Sequence, residues 1–304
     1  MSEKKQKVAL VLSSGGARGL AHIGVIESLE ENGFEISSIA GSSVGALIGG
    51  FYACGMLDVY KKWAMQLDRL DVFKLIDFTF SVQGFIRGEK AFKTLEDMIP
   101  DCKIEDMNIP FCAVATNLKE KKDVSLTTGS MYKAIKASVA IPTVIKPQIY
   151  DNIELIDGGV TNPIPIDKVK RHKGDILVVS DVNAATAYRP PKKSKERQEL
   201  EIETYRSKIE SFKNTWSKLL PGNSSPKEKL GYFELLNRSI DLMQDRVATL
   251  IMQHYKPDIT VSISRDAANT FEFYKAKDLI EVGRLRFSES YQQYEKKAAA
   301  TESA

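Results

Sequence analysis

Residues 36–54 read ISSIAGSSVGALIGGFYAC, and this passage decides the fold. Residues 36–40 form a short strand-like run and residues 44–54 a helix that begins with small side chains. Between them lies Gly41-Ser42-Ser43-Val44-Gly45, a G-x-S-x-G. A sharp strand-to-helix turn holds such a serine clear of the sheet, and glycine is needed two residues to either side because a Cβ there would meet neighbouring backbone. The helix that opens at Val44 points its free amides at charge developing beside Ser43. An ordinary glycine-rich turn carries the same letters, so the serine gains meaning only from its surroundings.

Upstream, residues 8–12 (VALVL) read as a buried parallel strand that ends in Ser13-Ser14-Gly15-Gly16-Ala17-Arg18-Gly19. Residues 20–32 follow as a helix, with Leu20, Ile23, Ile26 and Leu29 on one face and Gly33 as its stop. Strand, turn, helix, strand, turn, helix predicts an α/β fold with a largely parallel central sheet flanked by helices. Further strands are expected at 111–116, 124–127, 153–156, 176–180 and 259–263, and helices at 230–254 and 275–287. The first glycine turn is not a dinucleotide site. Ser14 stands where that fingerprint begins with glycine, and the second strand ends in Gly41 and Ser42 instead of an acidic ribose ligand. A turn rich in free amides beside a serine elbow suits an oxyanion hole instead.

A serine nucleophile needs a base. Asp157-Gly158-Gly159 follows the apolar pair Leu155-Ile156, and partial burial there would raise the carboxyl pKa and make it a better base. Asp-Gly is also among the commonest turn dipeptides. The three histidines are His22, His172 and His254. Ser43, Asp157 and His254 stand in the chain order of an α/β-hydrolase triad, although in that fold the elbow usually follows several strands.

The bulk numbers narrow the classes. With 43 basic and 40 acidic side chains in 304 residues, the charge is too balanced for nucleic acid to be a partner. Three cysteines without C-x-x-C spacing support neither a disulfide framework nor a zinc site, and no metal or other cofactor is expected. No secretory leader and no membrane-spanning run is legible, so a cytoplasmic protein is expected. Residues 184–229 differ in character, with eleven basic against six acidic side chains, and Tyr205, Ile209, Phe212, Trp216 and Leu219 recur at helical spacing. That pattern predicts a charged helical insertion able to bring the protein onto the inner face of an anionic membrane. Packing of the same face on the protein's own core is the alternative.

The blocks KVALVLSSGGARGLAHIGVIESLEENG, IAGSSVGALIGG, KASVAIPTVIKPQ and ELIDGGVTNPIPI resemble, in order, the bacterial branch of the patatin-like phospholipases. The resemblance implies a three-layer fold, a catalytic core over 7–171 and a C-terminal part of the same fold over 172–290, while residues 291–304, ending in KKAAATESA, read as a disordered tail. The resemblance also implies a lipid or small-ester acyl hydrolase with Ser43 as nucleophile, Asp157 as base and no histidine. Oxyanion donors come from Gly15, Gly16 and the neighbourhood of Arg18, and Ser14, Gly19, Gly41, Gly45, Gly158 and Gly159 complete the motifs. Ser14 departs from the family glycine, and would be strained if its φ were positive. A regulatory protein that keeps the fold without turnover is the reading from another class.

Overall fold

Strand β1 (Lys7–Leu12) is buried from Val8 onward because both of its faces are covered. Val8, Leu10 and Leu12 face one core and Ala9 and Val11 the other, which is why the run is continuously apolar instead of alternating. The computed structural model describes residues 5–76, 89–142, 144–191 and 232–302. After β1 come helix α1 (Ala21–Glu31), β2 (Glu35–Ser42) and α2 (Val44–Ala53). Helices α3 (Leu57–Ala64), α4 (Arg69–Ile76) and α5 (Glu89–Met98) lead to β3 (Phe111–Asn117) and β4 (Lys122–Leu126). Helix α6 (Met131–Ser138) is followed by β5 (Gln148–Tyr150), β6 (Ile153–Asp157) and β7 (Ile176–Ala184). Helix α7 (Tyr232–Tyr255), β8 (Ile259–Ser264) and α8 (Ala276–Glu302) close the chain.

The sheet runs β5-β6-β3-β2-β1-β7-β8, with β4 also on β3. Strands β3, β2, β1, β7 and β8 are parallel, while β4, β5 and β6 pair antiparallel. Helices α1, α2, α6 and α8 bury the larger core against one face. On the other face, Ile164, Ile166 and Val169 with α7 cover a smaller one. This is a three-layer α/β fold. The chain leaves β1 first toward β2 and later returns to its opposite edge with β7, so the order reverses at β1. Ligands of open α/β sheets bind at such reversals, beyond the carboxyl ends of the strands.

The register brings Asp157 to Ser43. Residues 113–114 of β3 are shared by β2 and β4, and residues 115–117 by β4 and β6. Strand β6 therefore takes over the edge of β3 where β2 leaves it: Ser42 pairs with Val114, and Asp157 with Ala115.

Two readings of the sequence need revision or fall outside the structure. The tail expected to be disordered from 291 is helical, because α8 runs on to Glu302. Alanines and lysines are strong helix formers, and that preference outweighs nearness to the end of the chain. The insertion at 184–229 lies outside the described residues from 192 onward. Among the described residues no helix is long and apolar enough to cross a membrane.

Candidate active site

Ser43 caps α2 with φ 54° and ψ −123°, a conformation an L-residue adopts only at a cost of about 1–3 kcal/mol. The turn tolerates no Cβ on its flanks. One on Gly41 would lie 2.3 Å from the Gly45 carbonyl, and one on Gly45 would lie 2.3 Å from the Leu12 carbonyl oxygen. The strained residue is held from behind, since the Ser43 amide donates to Ser138 Oγ at 2.9 Å, and that hydroxyl donates to the Val114 carbonyl at 2.5 Å. Ser138 ends α6 in a block read from the sequence only as part of the family pattern. No local signal in its neighbours marks it as the anchor of the elbow.

Ser43 Oγ donates to Asp157 Oδ2 at 2.6 Å, and both side chains are buried. The carboxylate takes a second hydrogen bond on Oδ1 from the Gly159 amide at 2.7 Å. Its own main chain is fixed by Asp157 N to the Ala140 carbonyl at 3.0 Å and by Thr116 Oγ1 to the Asp157 carbonyl at 2.9 Å. Burial pushes the Asp157 carboxyl up to about 6, against the opposing pull of the bonds from Ser43 and Gly159. The Asp-Gly-Gly stretch is thus the start of a short 3₁₀ turn over Gly158–Val160, with the carboxylate as its cap.

The histidines stand elsewhere. His22 is fully buried between Ser180 Oγ at 2.8 Å and the Ser13 carbonyl at 3.0 Å, and burial holds its pKa down at about 4. His172 is exposed and its amide donates to Asp175, while His254 is exposed near the end of α7. A direct bond between Ser43 and Asp157 leaves no place for an imidazole between them.

The turn after β1 lies beside this pair. Among the described residues the amides of Gly15 and Gly16 have no acceptor, whereas those of Ser14 and Ala17 bond to the carbonyls of Pro163 and Thr270. Gly16 takes the positive φ of 56°; Ser14 does not, so the strain considered for that position is absent. Arg18, expected with the glycines as an oxyanion donor, directs its guanidinium to Asn183 Oδ1 at 2.7 Å, the Val182 carbonyl at 3.2 Å and the Ala268 carbonyl at 2.9 Å. It braces the turn against β7 and the segment after β8. Asn183 also donates to the Ser14 carbonyl at 2.6 Å, a role with no signal in the sequence.

Two spaces meet at Ser43. One is an apolar cavity of about 170 Å³, walled by Tyr60 and Trp63 of α3, Val72 of α4, Phe92 and Leu95 of α5, and Phe273. The other is a smaller, more polar recess, where Ser14, Arg18, Asp157 and Asp241 stand beside Ile141 and Phe271. Ser43 thus sits where an apolar lobe meets one that carries charged and polar side chains, a setting that suits an amphiphilic ligand.

The patatin-like phospholipase model matches residues 10–170, and the chain belongs to that family of lipid ester hydrolases. An uncharacterized NTE family protein of Mycobacterium bovis is 32% identical to it over 97% of this chain and 95% of its own. A lysophospholipase nte1 of Aspergillus fumigatus is 26% identical over 91% of this chain, which matches 18% of that longer protein. The crystal structure of VipD from Legionella pneumophila superposes with a TM-score of 0.49 at 14% identity, covering 95% of this chain and 67% of that one.

Proposed function

We propose that the chain hydrolyses the carboxylic ester of a single-chain phospholipid, with Ser43 as nucleophile and Asp157 as the general base. The observation that carries this reading is the 2.6 Å hydrogen bond from Ser43 Oγ to a buried carboxylate whose pKa is lifted toward neutrality. The fungal relative's name, lysophospholipase, points to the same substrate class.

The proposed steps use groups that already touch. Asp157 Oδ2 takes the Ser43 proton as Oγ attacks the ester carbonyl, and the amides of Gly15 and Gly16 receive the oxyanion. The bond to the glycerol oxygen breaks as Asp157 returns the proton to it. Water then attacks the acyl carbon, again giving a proton to Asp157; the bond from carbon to Ser43 Oγ breaks as Asp157 returns that proton to Oγ, and the fatty acid leaves. The apolar cavity takes the one acyl chain and the polar recess the headgroup side. Contact with an anionic membrane, through the segment from 184 to 229, belongs to the same proposal.

The test is a panel of defined lipids offered to the purified protein in mixed micelles. Lysophospholipids should be cleaved at least about tenfold faster than two-chain phospholipids carrying the same acyl group, because the apolar lobe that the described residues form at Ser43 is sized for one chain. Preference for the two-chain lipid, or no release of fatty acid from either, would reject the assignment.

A further inference from the structure

Ser14 is buried, with 3% of its surface exposed, and its main chain is held on both sides by Pro163 and Asn183. Its hydroxyl nevertheless has no hydrogen-bond partner among the described residues. A buried polar group without a partner is destabilising, and such groups concentrate where chemistry needs them. The surroundings of Ser14 fit that reading, because it borders the polar recess together with Ser43 and Asp157. A Cβ placed on Gly159 would lie 2.9 Å from Ser14 Oγ and 3.0 Å from Asp157 Oδ1, so hydroxyl and carboxylate close on the same glycine and only its hydrogen fits between them. Ser42 Oγ is also unpartnered, but it packs against Gly158 and does not border the recess.

We propose that Ser14 is a positioning residue for deacylation, its Oγ accepting the hydrogen that the attacking water keeps. The proposal rests on the acyl-enzyme reading above. Water has two hydrogens and only one goes to Asp157. As the water oxygen bonds to the acyl carbon, Asp157 Oδ2 takes that first proton. The second hydrogen stays on the new oxygen and points to Ser14 Oγ, which has free acceptor capacity. The bond from carbon to Ser43 Oγ then breaks, Asp157 returns its proton to that oxygen, and the fatty acid departs with the second hydrogen. Acylation uses no water, so Ser14 should matter only in the second half of the cycle.

Methanol separates the two halves. It has one hydroxyl hydrogen, which goes to Asp157, and a methyl group where water carries its second hydrogen, so methanolysis of the acyl-enzyme has no use for Ser14. The experiment follows a soluble acyl ester in aqueous methanol and measures free acid against methyl ester for wild type, Ser14→Ala and Ser14→Gly. Both variants should hydrolyse the acyl-enzyme roughly tenfold more slowly, the effect of one lost hydrogen bond. The ratio of methyl ester to acid should rise by a similar factor, with fluorophosphonate labelling of Ser43 within about twofold of wild type, since acylation is untouched. A purely structural role would slow both products together and leave the ratio unchanged. If wild type forms methyl ester and labels at Ser43 but neither variant moves the ratio, the assignment of Ser14 is wrong and the dyad stands. If wild type forms neither methyl ester nor an adduct, the acyl-enzyme reading fails and takes Ser14 with it.

Discussion

Asp157→Asn should make the protein inactive and, at neutral pH, more stable. The carboxyl is lifted from near 3.8 to about 6 by burial, so the folded state holds its proton more tightly than the unfolded chain does. The stability contributed by the protonated form is fully present below pH 4 and is lost as pH rises through about 6. By pH 8 the ionised, buried carboxylate weighs against folding by about 3 kcal/mol. Asparagine has the same shape and no charge to desolvate. Its Oδ1 can accept from Gly159 N and its amide can donate to Ser43 Oγ, so both bonds of the site survive in neutral form. The measurement is a denaturant melt of both proteins at pH 8, 6 and 4, beside an assay with a soluble ester. The variant should gain up to about 3 kcal/mol at pH 8 and close to nothing at pH 4, while turnover falls by about 10² or more. A variant less stable than wild type at pH 8, or a gain that ignores pH, would show that the carboxylate is held by its hydrogen bonds instead of being strained by burial.

Three further outcomes are expected. With a soluble ester, kcat/KM should fall as pH drops through about 6 and reach roughly a tenth of its plateau at pH 5, because protonated Asp157 has no room for the Ser43 proton; a profile flat down to pH 5 would indicate an ordinary carboxylate. His254→Ala should keep activity within about twofold, since losing a true general base typically removes 10² or more; an inactive but folded variant would restore the triad. Ala91→Trp narrows the apolar cavity, and displacing about four methylenes should lower kcat/KM for a long-chain ester by about 10², at ~0.8 kcal/mol each. Acetyl ester hydrolysis should persist, and an equal loss on both esters would show that the cavity does not hold the acyl chain.

The half of the site that is local in sequence was legible there. A glycine-flanked serine between a strand and a helix needs only its neighbours to be understood, and the elbow folds around Ser43 with the close glycine contacts expected. The same holds for β1 and α1, whose apolar periods match the two cores they face. Contacts between distant segments were harder to read. That Asp157 lies against Ser43 depends on β6 replacing β2 along β3, an antiparallel pairing that no periodicity announces. Ser138 and Asn183 act through single hydrogen bonds to main-chain atoms far away in the sequence, so their residue types carry no mark of the role. The strain considered for Ser14 was misplaced by two residues, since the chain makes its left-handed step at Gly16, where no side chain opposes it.

Mass spectrometry of the protein after treatment with a fluorophosphonate tests the dyad most directly. One adduct should form, on the peptide carrying Ser43, and it should be absent in Ser43→Ala. In Asp157→Asn it should form at least about a hundredfold more slowly, because the reagent reports the activated hydroxyl and nothing later in the cycle. Modification at another serine, or an undiminished rate in Asp157→Asn, would contradict a nucleophile at Ser43 activated by Asp157.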